Sequence, residues 1–282
     1  MTHEDRHRGR HPGDDRLFAA KELPALCAAT ADLSWLLTRG YAETSAIKLV
    51  GDRHELTVRQ RQAVSRCACS DAARDDRQAR LVSRAELVHG LHGEFPTLAI
   101  DGLNCLITIE SALSHGVVLR GRDGALRDLA SVHGTYRQVA ETSFAIEVVG
   151  RHLHGARDAA PTRPLVVTWY LDRPVANSGR LRALLLEIAE RRGWPWTCEL
   201  VNNPDAVLIR RPDHPVVATS DAWILDHCAR WFDPLGSLLA PDDTSAGPAA
   251  IPTSGPILAA RPGLWLLDLG SPSPPSSGIG GS

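Results

Sequence analysis

The chain has 282 residues, 43% hydrophobic and 23% charged, with a formal charge of −2; this is the balance of a globular protein with room for one large domain or two small ones. It contains no run of about 18 or more apolar residues, so no membrane span is expected; the polar opening MTHEDRHRGRHPGDDR also lacks the apolar centre of a secretion signal, so a cytoplasmic location is expected. Acids and bases nearly balance on both sides of residue 95, which argues against a general nucleic-acid binder, and Cys27, Cys67, Cys69, Cys105, Cys198 and Cys228 form no CxxC pair, which argues against zinc and points to free thiols in a reducing compartment.

Residues 1–14 read as a disordered leader and 15–93 as a small all-helical domain. Apolar spacing predicts a helix over Leu26–Leu37, with Gly40 as its stop, and another over Ala42–Leu49, ending near Gly51. Thr57 is a candidate N-cap for the run TVRQRQAVSRCACS, and Ser83 for a helix reaching His89. Arg59, Arg61 and Arg66, with Lys48 and Arg53, would make a basic face for a nucleic-acid backbone; a solvated helix surface is the commoner reading of such a run. His89, His92, His152 and His154 have no supporting ligand pattern and read as surface residues.

The pattern changes after Phe95, and 94–239 reads as an α/β domain. The apolar run at 97–100 stops at Asp101-Gly102 and leads into a helix over Asn104–Leu113. Val117–Leu119 is a second strand candidate, Tyr136–Val149 a helix, and 155–163 a loop. The strand Leu165–Leu171 stops at Asp172. The helix after it carries Leu181, Leu184, Leu185 and Ile188 as one stripe and stops at Gly193. Strand candidates follow at 198–201, 206–209 and 216–219. The last of these reaches Ser220-Asp221 and a helix over Ala222–Trp231. Residues 240–282 read as a disordered Pro/Gly/Ser-rich tail, with WLLDL at 265–269 as an apolar island that either docks or is incidental.

Three of these strands end in an acid: Asp101, Asp172 and Asp221. In a parallel sheet the carboxyl ends of the strands lie along one edge, where ligands bind. Acids distant in sequence can meet there, and a cation is the readiest way to relieve their repulsion. An all-oxygen donor set suits Mg²⁺ or Mn²⁺. The competing explanation for each aspartate is a turn or helix cap.

The segment IDGLNCLITIE resembles the opening strand and helix of PIN-like and NYN-type nucleases, and VVATSDAWILD resembles their later Thr-x-Asp element. The resemblance implies a three-layer PIN-like (Rossmannoid) parallel sheet behind the helical domain. It makes Asp101, Asp172 and Asp221 catalytic metal acids, with Asn104, Thr219, Ser220 and Asp226 in support and Asn104 orienting Asp101. The chain as a whole is similar to an uncharacterised prokaryotic family that pairs a helical N-terminal domain with a PIN-like one, on the segments SAIKLVGDRHELTVRQR, VHGTYR and DRPVANSG as well. The helix acid usual in such nucleases has no recognisable motif here; Glu141 and Glu147 are candidates, and Glu110 would face the edge or solvent. The segment at 121–137 has no counterpart. It offers Asp128 as a further metal ligand and His133 and Arg137 for substrate phosphate, or else forms a solvated loop. Ser178, at a helix start, is another phosphate candidate or a simple cap.

The expectation is a metal-dependent nuclease, a ribonuclease foremost, hydrolysing phosphodiester bonds with carboxylate-bound Mg or Mn, with RNA or DNA as partner. The alternatives are a non-catalytic PIN-like module that binds nucleic acid or protein, and a phosphatase acting on small phosphoesters.

Overall fold

A computed structural model describes residues 6–89, 97–130, 134–154, 165–210, 216–240 and 264–271. The helical region consists of α1 (Asp14–Leu17), α2 (Leu23–Thr38), α3 (Glu43–Arg53), α4 (Val58–Cys67), α5 (Asp71–Ala79) and α6 (Arg84–His89). The starts of α4, α5 and α6 are fixed locally. The Thr57 hydroxyl accepts from the Gln60 N–H while the Gln60 amide oxygen accepts from the Thr57 N–H, a reciprocal cap on α4. Ser83 and Glu86 do the same ahead of α6. Ser70 caps α5, so the run read as one helix from Thr57 to Ser70 stops at Cys67 and a new helix begins.

The α/β region runs β1 (Thr97–Asp101), α7 (Gly102–Leu113), β2 (Val117–Arg120), β3 (Leu126–Asp128), α8 (Thr142–His154), β4 (Val166–Asp172), α9 (Ser178–Arg192), β5 (Trp196–Val201), α10 (Pro204–Arg210), β6 (Val217–Ala218), α11 (Ala222–His227), β7 (Trp231–Phe232), α12 (Pro234–Leu239) and β8 (Trp265–Asp268). Five strands form one parallel sheet in the order β5-β4-β1-β6-β7. Successive residues of β1 and β4 point to opposite faces. Leu98, Ile100, Val167, Trp169 and Leu171 join a core with α7, α8, α9 and α12. Ala99 and Tyr170 join a second core with α10 and α11. The result is three layers, as the resemblance implied. The chain leaves central β1 for β4 and β5, then returns across it to β6. The order therefore reverses beside β1, and such a switch opens a crevice at the carboxyl ends of the strands.

The remaining strands form a separate small sheet, β3-β2-β8, in which β2 pairs antiparallel with β3 and parallel with β8. One face of it completes the core of the helical region: Val117, Leu119 and Leu267 pack with Phe18, Leu26, Leu33 and Val64. Val118 and Leu126 on its other face join the main core. The WLLDL island is thus a docked strand inside a stretch read as tail.

Other expectations also change. The leader is packed from residue 6: Asp14 is fully buried against Arg59, and Arg8 reaches buried Glu110. The stretch 206–209 is helical because Asn203 accepts from the Ala206 N–H and Pro204 opens the helix. The helix expected from Tyr136 starts at Thr142, and the one expected to reach Trp231 ends at His227, leaving Trp231 to β7. The basic residues of that face are largely paired within it, as a solvated helix surface would be, and Lys48 stays exposed. Arg59 is paired with Asp14, Arg61 with Asp52 and Arg53 with Asp32, while Arg66 donates to the Asp128 carbonyl. The α8 histidines are not surface groups. His152 bonds to the Ser237 hydroxyl at 2.7 Å, and His154 accepts from the Trp196 indole at 2.8 Å and stacks on Trp194. Burial pushes both pKa values down, to about 3 and about 4. The loop 155–163 and His92 lie outside the described residues.

Candidate functional site

Asp101 ends β1 and stands at the N-cap position of α7, yet its side chain caps nothing. Instead its Oδ2 accepts from the Thr219 hydroxyl at 2.8 Å. Gly102 permits this close layering, because a Cβ there would lie 2.8 Å from the Tyr170 carbonyl oxygen of β4. Thr219 Oγ1 also accepts from the Asp221 N–H at 3.0 Å. The amide oxygen of Asn104, one turn into α7, accepts from the Ser220 N–H at 2.9 Å and from its hydroxyl at 3.0 Å. The two expected supports thus hold different partners: Thr219, not Asn104, fixes Asp101, and Asn104 fixes the loop that carries Asp221.

Asp221 has two roles. Its Oδ1 accepts from the Trp223 and Ile224 N–H groups, at 2.8 and 3.2 Å, and caps α11. Asp172 ends β4 half-buried, and α9 behind it is capped by no side chain. A fourth acid, Asp205 in the first turn of α10, joins them and was missed in the sequence. Its signal was the Asn203-Pro204 helix start, obscured by reading 206–209 as a strand.

Asp101 and Asp205 both feel the charges of their acidic neighbours. Asp101 is pushed up to about 8, first by burial and then by the charges of Asp221, Asp205 and Asp172, against the lowering effect of its Thr219 hydrogen bond. Asp205, exposed at the rim, is raised by desolvation and then by Asp221 and Asp172. Asp172 is raised by desolvation. Among the described residues, no basic group is a leading influence on Asp101, Asp172 or Asp205. Among the described residues no three His, Cys, Asp or Glu side chains stand close enough to hold a metal ion together. The four acids share a field without sharing one coordination sphere.

Most of the other residues read from the sequence have partners of their own. Asp128 is buried two turns down α7, on the order of 10 Å along its axis. Its oxygens accept from the Thr108 hydroxyl and the Ala130 N–H, at 2.8 and 2.6 Å. Asp226 is ion-paired to Arg77 at 2.7 Å. The Ser178 hydroxyl is enclosed and has no hydrogen-bond partner. Arg137 is exposed, and its carbonyl accepts from Arg8. His133 lies outside the described residues. The candidate helix acids are engaged elsewhere: Glu141 bonds to His7 at 2.6 Å, and Glu147 pairs with Arg192 at 2.8 Å. Glu110 faces neither edge nor solvent; it is enclosed and bonded to Arg8, Tyr136 and Thr142. Asp233 follows β7 and shows what a purely structural strand-end acid looks like, with its oxygens taken by the Leu126 and Gly236 N–H groups at 3.0 and 2.8 Å.

Among proteins of known sequence, the uncharacterized protein MJ0935 of Methanocaldococcus jannaschii is 27% identical over 198 residues, which cover 70% of this chain and 87% of that one. No solved structure matches. Residues 25–80, spanning α2 to α5, match a family described as a protein of unknown function, DUF434. Residues 91–237, the whole five-stranded sheet with its helices, match a family described as a domain of unknown function, DUF5616, and the chain belongs to that family.

Proposed function

We propose that this chain is a divalent-cation-dependent phosphodiesterase of PIN-like type acting on nucleic acid, RNA foremost, with its site at the edge formed by Asp101, Asp172, Asp205 and Asp221. The observation that carries the reading is Asp101: buried, held by Thr219, within the field of three other acids, and with no basic group among its leading influences from the described residues. A protein gains nothing in stability from such an arrangement. The donor set fits Mg²⁺ or Mn²⁺, being all oxygen, and Mg²⁺ commonly keeps several waters and takes only one or two carboxylates directly. When bound, the cation supplies charge neutralisation at the phosphate and a more acidic water. The chain's own groups do the rest. Thr219 orients Asp101, Asn104 fixes the Asp221 loop, and Asp172 and Asp205 at the rim complete the negative wall. Asp101, once ionised, would be one of the carboxylates that hold the cation.

The test is calorimetry with Mn²⁺ in two buffers of different ionisation enthalpy, together with cleavage of labelled single-stranded RNA and DNA. Binding accompanied by proton release, and cleavage lost in both Asp101→Ala and Asp221→Ala, are expected; cleavage that survives both substitutions rejects the assignment. One observation favours the second reading, a non-catalytic module. Glu141 and Glu147 are both committed to other partners, and among the described residues no three potential ligands stand together. Cation binding without cleavage of any nucleic acid or small phosphoester supports that reading, whereas hydrolysis of small phosphoesters alone marks a phosphatase.

A further inference from the structure

Beneath the site lies a buried charge network that the proposed chemistry does not use. Asp123, in the turn between β2 and β3, is 1% exposed and accepts from two arginines. Arg127 meets it with both terminal nitrogens, at 2.8 and 2.6 Å, and Arg77, from α5 of the helical region, meets it at 2.7 Å. Each arginine then reaches the strand-end loop. Arg127 Nε donates to the Ser220 carbonyl at 2.8 Å, and Arg77 donates to the Ala222 carbonyl at 3.3 Å and to Asp226 at 2.7 Å. Asp221 lies between the two gripped carbonyls. Gly121 makes room for the network, since a Cβ there would stand 2.8 Å from Asp123 Oδ1.

A buried ion pair is costly to desolvate and is often no more stabilising than apolar packing of the same volume. Three buried charges whose hydrogen bonds converge on the peptide units flanking one acid point to a role in holding that acid. We infer that Arg77 and Arg127, bridged by Asp123, are positioning residues that fix the carboxylate of Asp221. The helical region thereby contributes to the site through Arg77, across the two stretches that match separate families. The link to cation binding rests on the proposed function; the clamp itself is read independently, from hydrogen exchange.

The Trp223 and Ile224 amides donate to Asp221 Oδ1, so their exchange reports directly on that carboxylate. Two variants loosen the clamp to different degrees: Arg77→Met, and the milder Asp226→Asn at its exposed end. Arg59→Met is the control, because it breaks another buried pair, with Asp14, and touches neither carbonyl. We expect the 221–224 amides to exchange at least tenfold faster in Arg77→Met and several-fold faster in Asp226→Asn, with the α9 amides unchanged. We also expect Mn²⁺ affinity to fall about tenfold, while Arg59→Met lowers the melting temperature and leaves local exchange and affinity alone. Exchange at 221–224 that is unchanged, or that rises only in step with α9, overturns the inference. If the wild-type protein binds no Mn²⁺, the proposed function falls, and the exchange measurement alone decides the clamp.

Discussion

Asp101 shows how a single side chain can be placed against its own preference. Its carboxyl keeps its proton up to about pH 8, whereas in the unfolded chain it would release it near the ordinary value of 3.8. Between those values the folded state carries the extra proton, so this group's contribution to stability falls as pH rises. Glu110, Asp128, Asp172, Asp205 and Asp233 are displaced upward too and push the same way. Asp101→Asn removes this group's share of the slope. In cation-free buffer we expect it to raise stability by about 1–3 kcal/mol at pH 8 and by little at pH 4, as read from urea midpoints at the two values. An unchanged midpoint at pH 8 would show that the carboxyl is charged and solvated there. The identity of this acid was legible in the sequence as the end of a short apolar run. Its partner was not: Thr219 is 118 positions away, and which hydroxyl or amide reaches which acid is decided by the register of β1 on β6.

At the scale of elements, the small sheet repeats the same division. Helices α2 and α3 were readable from their apolar spacing, and α4 and α6 from their caps, because both signals are local. β8 has no local reason to be a strand. Its four residues stand within a Pro- and Ser-rich stretch and become ordered by pairing with β2. Leu267, 6% exposed, covers Leu119 and the helical core from that edge. Leu267→Ala should therefore cost about 2–4 kcal/mol, the range for a buried leucine that leaves a cavity. Chemical denaturation measures it, and a loss under about 0.5 kcal/mol, the scale of an ordinary surface change, would mean that β8 contributes no packing. The misread stretch at 206–209 has the same origin. Ala206-Val207-Leu208-Ile209 suits a strand by side-chain type, and only the Asn203 cap and the packing of Leu208 against the sheet make it a helix.

Across the whole molecule, the acids at the sheet edge and the histidines of α8 tilt stability in opposite directions. His152 and His154 are held neutral by burial, so the unfolded chain takes up protons near the ordinary value of 6.5 and the folded chain does not until about 3 and about 4. Their contribution is present above about pH 6.5 and is lost as pH falls toward those values. We expect a stability maximum between the two limbs, with His152→Gln flattening the acid limb while Asp101→Asn flattens the alkaline one. Urea midpoints across pH 4–8 for both variants test the pair, and an acid limb unchanged in His152→Gln would reassign it to other groups.

The sequence alone determined the class of the protein, the order of its main elements and three of the four acids at the edge, because strand length, apolar periodicity and helix caps are properties of neighbouring residues. The tertiary structure decided what those residues meet. It added Asp205, took away Asp128 and Asp226, exchanged the supports of Asp101 and Asp221, and tied Arg77 of the helical region to the loop beyond β6. Each of these depends on strand order and on burial across more than a hundred positions of chain. A charge has no local signature of the partner that will neutralise it, so only folding assigns one.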